Sequence, residues 1–134
     1  MKKVIKALTV LSLITVAFAP PVFAGWTEVG EGVSGNTYYI DYDTVKENNG
    51  YVYYWRLSNY LKPDQFGDLS AKVLREADCD IPRKSRALSG IFYKQPMASG
   101  NGDTETASSD EWKYTAPNSV IELMTNAVCD YAGK

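Results

Sequence analysis

Three closely spaced pairs of acidic residues are the side chains in this sequence that could perform catalysis. Two carboxyl groups held near each other can act as the acid and the base in the hydrolysis of a glycosidic bond. Each pair, however, falls at a predicted strand end or turn, where aspartate commonly caps and solvates the backbone. We therefore interpret the pairs as structural. They are Asp41 with Asp43, Asp78 with Asp80, and Asp110 with Glu111.

The residue types that support most other chemistry are missing. The sequence contains no histidine, which is the commonest general base and metal ligand. It also has no glycine-rich loop of the kind that binds phosphate groups. We predict a protein that is not an enzyme and that uses no cofactor and no metal ion.

Cys79 and Cys129 are the only two cysteines. Their spacing is not that of a Cys-x-x-Cys redox pair, and two thiolates without histidine cannot complete the tetrahedral ligand set of zinc. Paired cysteines in exported proteins are usually oxidised, and the N-terminal segment indicates export. We predict a disulfide between Cys79 and Cys129.

Five basic residues form a candidate binding patch in an otherwise acidic chain. They are Lys84, Arg86, Lys94, Arg83 and Lys134. On a regular strand the even-numbered residues from 84 to 94 point to one side, together with Leu88 and Phe92. Arg83 then lies on the other side or in the loop before the strand. We expect this mixed basic and apolar surface to steer an acidic partner toward the sheet.

An alternative interpretation of the same residues stays open. The cations could belong to a solvated sheet face on which they pair with Glu76 and Asp78. Lys134, the last residue of the sequence, resembles the C-terminal lysine that plasminogen-type receptors present. The basic surface is therefore a hypothesis about binding.

Residues 99–110 are a polar stretch that contains Gly100-Asn101-Gly102-Asp103. We predict a loop, which is either a mobile binding loop or a connection without function. The stretch does not match a calcium-binding loop, because Thr106 stands where the glycine is required and Trp112 where the closing glutamate is required.

The N-terminus predicts the compartment. Lys2 and Lys3 precede a mainly apolar stretch, and Val22-Phe23-Ala24 supplies a cleavage site of small residues. This order is typical of a secretory signal peptide, here residues 1–24. The residue directly after Ala24 is glycine and not cysteine, so we expect a protein that is not a lipoprotein. We expect it to be periplasmic, secreted or on the cell surface, without a transmembrane segment in the mature chain.

Residues 25–134 are predicted to form one domain with a modest acidic charge. They carry 11 basic and 16 acidic side chains, which gives a net charge of −5. Binding to nucleic acid depends on neutralising many phosphates with lysine and arginine, so we expect no nucleic-acid partner. A chain of this length buries roughly two-thirds of its unfolded surface, which is enough for a core.

Short segments with alternating polarity predict an antiparallel sheet. Tyr51 to Tyr60 is the clearest of them. Asp41 to Gly50 is predicted as a connection in which Asp43 caps one helical turn and Asn48-Asn49-Gly50 forms a turn with positive φ. The predicted strands are residues 26–29, 36–41, 51–60, 70–79, 83–95 and 111–114.

The last element is predicted to be a helix that begins at Ser119. Ser119 and Glu122 form a Ser-x-x-Glu capping box directly after Pro117-Asn118. Val120, Met124, Ala127, Val128 and Tyr131 share one helical face. Cys129 points nearly opposite Val120 at about 100° per residue, so we expect the helix to end or distort near Val128. The fold class is α+β, with an antiparallel sheet of about six strands and one C-terminal helix packed on one face.

A series of motifs recurs in order along residues 25–134. It comprises Trp26, Tyr38-Tyr39-Ile40-Asp41, residues 52–57, the Cys79 strand, Leu88 through Phe92-Tyr93 to Met97 and Gly100, then Trp112, Pro117, Ser119 and Cys129. This order resembles the surface-adhesin protein E family of Gram-negative bacteria. The resemblance implies a six-stranded antiparallel sheet with a C-terminal helix, and a role in binding host extracellular-matrix or plasma proteins.

Two functions follow from these observations. The first is an adhesin-like binding module for an extracellular host protein, and the second is a periplasmic structural or interaction protein with a partner in the bacterial envelope. We also expect self-association, as a homodimer, because exposed aromatic strands in a domain of one sheet and one helix invite pairing.

Overall fold

A computed structural model describes residues 25–134, and the predicted signal peptide, residues 1–24, lies outside the described residues. The strands are β1 (Thr27–Glu31), β2 (Thr37–Asn48), β3 (Tyr51–Asn59), β4 (Ser70–Asp78), β5 (Lys84–Tyr93), β6 (Gly102–Thr106) and β7 (Lys113–Tyr114), and the helix α1 spans Val120–Tyr131. A short 3₁₀ segment, Pro96–Ala98, follows β5.

The strands form one antiparallel sheet in which β1 to β6 lie in sequence order, and the two-residue β7 pairs with the beginning of β5. Helix α1 packs against one face of this sheet. The predicted α+β class, with about six strands and one C-terminal helix, is confirmed. Within residues 25–134, no helix has the length and apolar character needed to cross a membrane.

The segment predicted as a connection after Asp41 is a strand instead. Strand β2 continues to Asn48 and resumes pairing with β3 at Lys46, after an irregular stretch that begins at Asp41. The Thr44 hydroxyl donates to the carbonyl oxygen of Asp41 at 2.7 Å. This local bond replaces the helical turn that we expected at Asp43 and lets the strand re-enter the ladder.

The predicted turn after β2 is present. Asn49 and Gly50 have φ values of 53° and 82°, and they join β2 directly to Tyr51 of β3. Two consecutive residues with positive φ match the right-handed twist of the flanking strands. The turn therefore fixes the register of the β2–β3 hairpin.

The polar stretch 99–110 is not entirely a loop, because residues Gly102–Thr106 form strand β6 on the outer side of β5. All five of its residues are exposed. Sequence patterning missed this strand because an exposed edge strand shows no alternation of buried and exposed positions. The predicted sixth strand, residues 111–114, is present as the shorter β7.

The main core lies between α1 and the part of the sheet where β2, β3 and β4 meet. Its fully buried members contribute aliphatic, aromatic and sulfur-containing side chains from both layers. They are Ile40, Val52, Tyr54, Ala77, Met124, Val128 and Cys129, with Cys79 at the border. We name the sheet face under this helix the helix side and the opposite face the open side.

The predicted disulfide between Cys79 and Cys129 is present, but the helix does not end or distort near Val128. Helix α1 stays regular to Tyr131. Its buried face is formed by Met124, Thr125, Val128 and Cys129 rather than by the face that includes Tyr131. Thr125 is polar but buried, so a pattern based on apolar residues alone predicts the wrong buried face for the helix.

The helix begins as predicted. The Ser119 hydroxyl accepts a hydrogen bond from the Glu122 amide at 3.1 Å. The Glu122 carboxylate accepts from the Asn118 amide at 3.2 Å, one residue before the position that a capping box usually uses. Two of the otherwise unpaired donors at this end are thus satisfied.

Candidate functional site

The open side of the sheet carries two of the five basic residues predicted to bind a partner, Lys84 and Arg86. Three cross-strand pairs of β3 and β4 place Tyr53 beside Glu76, Trp55 beside Leu74, and Leu57 beside Lys72 on this side. Strand β5 adds Lys84 beside Asp78 and Arg86 beside Glu76. Aromatic, aliphatic and charged side chains therefore share a face that α1 does not cover.

An irregularity in β5 divides the predicted patch. Arg75 pairs with Ala87, but the preceding Leu74 pairs with Ser89, so Leu88 has no partner in β4. A bulge of one residue moves every later side chain to the other face. Phe92 therefore lies opposite Ala71 on the helix side, and the expectation that it shares a face with Lys84 and Arg86 was wrong.

Lys94 is separated from the other basic residues for the same reason. It follows the last residue of β5, and its ammonium group lies 2.8 Å from Asp68 and 2.7 Å from the carbonyl oxygen of Phe66. The hydrogen bond to Asp68 raises the pKa of Lys94. Lys94 therefore binds the loop between β3 and β4, and it does not form a continuous basic surface with Lys84 and Arg86.

Each of the five predicted basic residues has an acidic neighbour. The pairs are Arg86 with Glu76 at 2.8 Å, Lys94 with Asp68 at 2.8 Å, Lys84 with Asp78 at 3.8 Å, Arg83 with Asp130 at 3.9 Å, and Lys134 with Glu47. The alternative that Glu76 and Asp78 pair with these cations describes this geometry. The net field of the patch is weaker than its count of positive charges indicates.

Arg83 and Lys134 lie near the end of α1 and not on the open side. The Arg83 guanidinium donates to Asn126 at 2.8 Å and to the carbonyl oxygen of Cys79 at 3.2 Å. It also donates to the Lys134 carbonyl oxygen at 3.3 Å. These bonds connect the β4–β5 loop to the helix, so Arg83 has a structural role in this arrangement.

Glu76 is the centre of the polar network on the open side. Its side chain is only 2% exposed, and its two oxygens accept from the Tyr53 hydroxyl and from Arg86 Nε, each at 2.8 Å. The bond to Glu76 raises the pKa of Tyr53 and also that of Arg86. A buried carboxylate with two such partners is satisfied and holds Arg86 in place.

Trp112 completes a surface that the sequence patterns did not reveal. The centroid of its ring lies 5.0 Å from the centroid of the Tyr51 ring and 4.6 Å from the Arg86 guanidinium carbon. The Lys84 ammonium lies 5.7 Å from the same ring. Tyr114, which pairs with Lys84 in β7, is 69% exposed. We name Tyr51, Lys84, Arg86, Trp112 and Tyr114 the Trp112 surface.

Lys72 forms a second contact between charge and aromatic rings on the open side. Its ammonium lies 5.8 Å from the Trp55 ring and 5.7 Å from the Tyr93 ring. The negative faces of the rings attract the ammonium group. Lys72 forms no salt bridge within residues 25–134. The signal in the sequence was the placement of Trp55 and Lys72 on strands that alternate in polarity, which becomes informative only when the register is known.

Two of the three acidic pairs form local hydrogen bonds between a carboxylate and the backbone. Asp41 accepts from the Asp43 amide at 3.1 Å, and Asp78 accepts from the Asp80 amide at 3.0 Å. Within the described part of the chain, no group of three or more histidine, cysteine, aspartate or glutamate side chains converges as metal ligands do. The geometry of these pairs is that of turn capping.

Comparison with known proteins identifies relatives for this architecture. Residues 26–130 match the family model described as surface-adhesin protein E. A crystal form II structure of Haemophilus influenzae protein E is 19% identical, with a TM-score of 0.60, and the alignment covers 89% of this chain and 99% of that one. Protein E from non-typeable Haemophilus influenzae is 18% identical, with a TM-score of 0.60 and coverage of 88% and 85%. No curated protein sequence matches the chain.

Proposed function

Because the chain belongs to the surface-adhesin protein E family, we propose that residues 25–134 are an exported binding module for a protein partner, with a host extracellular-matrix or plasma protein as the first candidate. Residues 1–24 would serve as the signal peptide in this proposal. The observation that carries it is the Trp112 surface, where three aromatic side chains and two cations meet on the open side.

The composition of the Trp112 surface suits a protein interface. Tyrosine, tryptophan and arginine are enriched where proteins meet, because each combines a large apolar area with a polar or charged group. Arg86 is held by Glu76 and stacked on Trp112, so little conformational entropy is lost when a partner binds it. Lys84, at 3.8 Å from Asp78, keeps a more available charge.

The contacts of Arg86 make it a poor position for a substitution that tests this surface. Replacing Arg86 would leave the buried Glu76 without its cation, so a loss of binding would be confounded by a loss of stability. Lys84→Ser and Trp112→Ala avoid that problem. Lys62→Ser, which alters an exposed lysine in the loop between β3 and β4, is the matched control.

We expect biosensor measurements against a panel of matrix and plasma proteins to show one binding partner. Lys84→Ser should slow association roughly threefold and flatten its dependence on salt, since rim charges act mainly on encounter. Trp112→Ala should accelerate dissociation. Binding that is equal in wild type, both variants and Lys62→Ser would reject the Trp112 surface as the site.

Display on the cell surface is the feature that separates the two candidate functions. Protease added to intact cells should digest a surface adhesin but spare a periplasmic protein that binds an envelope partner. Digestion only after the outer membrane is permeabilised would favour the periplasmic candidate. The disulfide between Cys79 and Cys129 is compatible with either compartment.

Self-association through the open side remains our prediction for the same module. The outer strand β6 carries Asp103 and Glu105, and all of its residues are exposed, so charge discourages pairing at that edge. The aromatic open side is therefore the better surface for a second copy. Light scattering that shows only monomer at high micromolar concentration would contradict this prediction.

A further inference from the structure

A cleft of about 460 Å³ opens on the helix side of the sheet. The residues that line it include Arg56 and Arg75 from β3 and β4, together with the apolar Val73, Ala87 and Phe92. Residues 105–109 and Glu111 form part of its wall. Clefts of this volume commonly hold small organic molecules.

Arg56 and Arg75 are neighbours on the helix side. Arg56 pairs with Val73, and Arg75 pairs with Tyr54, so the two arginines occupy diagonal positions of adjacent strands. Side chains at such positions are close enough to interact. Strand register thus places two positive charges on the face that otherwise carries apolar side chains.

Neither arginine has a carboxylate partner within 4.0 Å among residues 25–134, in contrast to the five cations of the predicted patch. Arg75 donates to the Ser85 hydroxyl at 2.9 Å, and Arg56 faces the Tyr38 ring at 6.0 Å. The Nε atoms of both arginines are buried without a protein acceptor. Donors in this situation cost free energy unless a ligand satisfies them.

The electrostatic environment favours an anion. Burial, and then the charge of Arg75, lowers the pKa of Arg56, which means that its positive charge is poorly compensated. Guanidinium groups bind carboxylate and phosphate oxygens through paired hydrogen bonds. The apolar residues beside them provide contact area for a nonpolar ligand part.

We propose that this cleft binds a small organic anion, with its carboxylate or phosphate group held by Arg56 and Arg75 and its nonpolar part against Val73, Ala87 and Phe92. Arg86 of the Trp112 surface also borders the cleft, but the two arginines proposed to hold the anion lie on the helix side. Glu105 and Glu111 line the cleft without an ion pair to either arginine, and they limit the charge of the anion that fits.

Thermal unfolding of the exported protein with four probes tests this proposal. Benzoate and phenyl phosphate share a ring and differ in the anionic group, benzyl alcohol lacks the charge, and inorganic phosphate lacks the ring. At ten times its dissociation constant, a binding anion should raise Tm by roughly 5 °C. Equal shifts from all four probes, or a shift from benzyl alcohol alone, would overturn the proposal. Whichever of benzoate and phenyl phosphate binds more tightly identifies the preferred group.

Substitutions locate the site. Arg56→Gln should weaken binding of the preferred anion at least tenfold and leave the Tm of the unliganded protein equal or higher, because it removes a charge without a partner. Glu105→Gln should strengthen binding, and Lys62→Gln, outside the cleft, should leave it unchanged.

Two results would reject the cleft. One is undiminished binding in Arg56→Gln. The other is a lowered Tm of unliganded Glu105→Gln with no gain in binding, which would make Glu105 the internal partner of the arginines. Should Arg56→Gln fail to fold, Arg75→Lys keeps the charge but loses the planar group, and unchanged binding of the anion by that variant would equally reject the proposal.

Discussion

The two faces of the sheet differ in whether their arginines have carboxylate partners. On the open side, Lys84 and Arg86 meet Asp78 and Glu76 across the strand pair. On the helix side, Arg56 and Arg75 meet each other and have no carboxylate within 4.0 Å in the described region. The cations expected to present charge on the open side, Lys84 and Arg86, are largely neutralised, and Lys72 on the same side lies against aromatic rings. Among residues 25–134, the two arginines on the helix side have neither a carboxylate ion pair nor a pair of rings beside them.

This difference shows that the count of charges along a strand does not identify a binding site. Cross-strand partners decide whether a cation is available, and partners are set by register. A paired cation such as Arg86 stabilises the fold, while an unpaired one such as Arg56 destabilises it until an anion arrives. Three experiments on the isolated protein test whether the two faces differ in this way.

Removing the disulfide that joins α1 to the end of β4 should have the largest effect, because the bond restricts the unfolded chain. The bond between Cys79 and Cys129 spans a sequence separation of 50 residues, and a loop of that length stabilises a folded chain by about 4 kcal/mol. Urea unfolding of the Cys79→Ala/Cys129→Ala protein should show that loss. Reduced wild type is the control and should unfold at the same urea concentration as the variant. A loss below about 1 kcal/mol would contradict this prediction.

The disulfide was predictable because the sequence has only two cysteines, and the sheet was predictable because alternating polarity is a local pattern. Two cysteines in an exported chain allow one pairing, and the alternation from Tyr51 to Tyr60 reports a half-covered strand. The Asn49-Gly50 turn and the Ser119 cap likewise depend on single residues with strong conformational preferences. Strand β6 was missed because every residue in it is exposed.

The site was much less predictable, since it depends on relations between strands. Leu88 of β5 has no partner in β4. A leucine does not predict a bulge, so the sequence did not indicate that Phe92 lies on the helix side. In the sequence, Arg75 interrupts the apolar alternate residues Ala71, Val73 and Ala77. Its proximity to Arg56 follows only from the β3–β4 register. Trp112 reaches Arg86 through a connection whose path the sequence does not specify.

Creating an unpaired cation on the open side should have the second largest effect and would make Arg86 resemble Arg56. Glu76→Gln removes the charge that faces Arg86 and weakens the acceptor of the Tyr53 hydroxyl. We expect Tm to fall by roughly 5 °C, because the Glu76 side chain is buried and its partners lose a charged acceptor.

Combining Glu76→Gln with Arg86→Gln provides the control. If the ion pair matters, the double variant should be more stable than the sum of the two single losses predicts. Strictly additive losses would contradict the coupling and would reduce the difference between the two faces.

The smallest expected effect concerns the ionisation of Tyr53 and leaves the fold intact. The hydrogen bond to Glu76 raises the pKa of Tyr53 above the ordinary 10.0, and burial and the Glu76 charge add to the rise. The folded state thus holds this proton more tightly than the unfolded state, so its stabilising contribution is complete below pH 10.0 and disappears as pH rises through the raised pKa. Phenolate absorbance should titrate with one fewer late-ionising tyrosine in Tyr53→Phe than in wild type. Because Glu76→Gln weakens this hydrogen bond and removes the Glu76 charge, it should bring the pKa of Tyr53 back toward its ordinary value. A titration of Glu76→Gln that coincides with wild type would show that the network on the open side does not govern this proton.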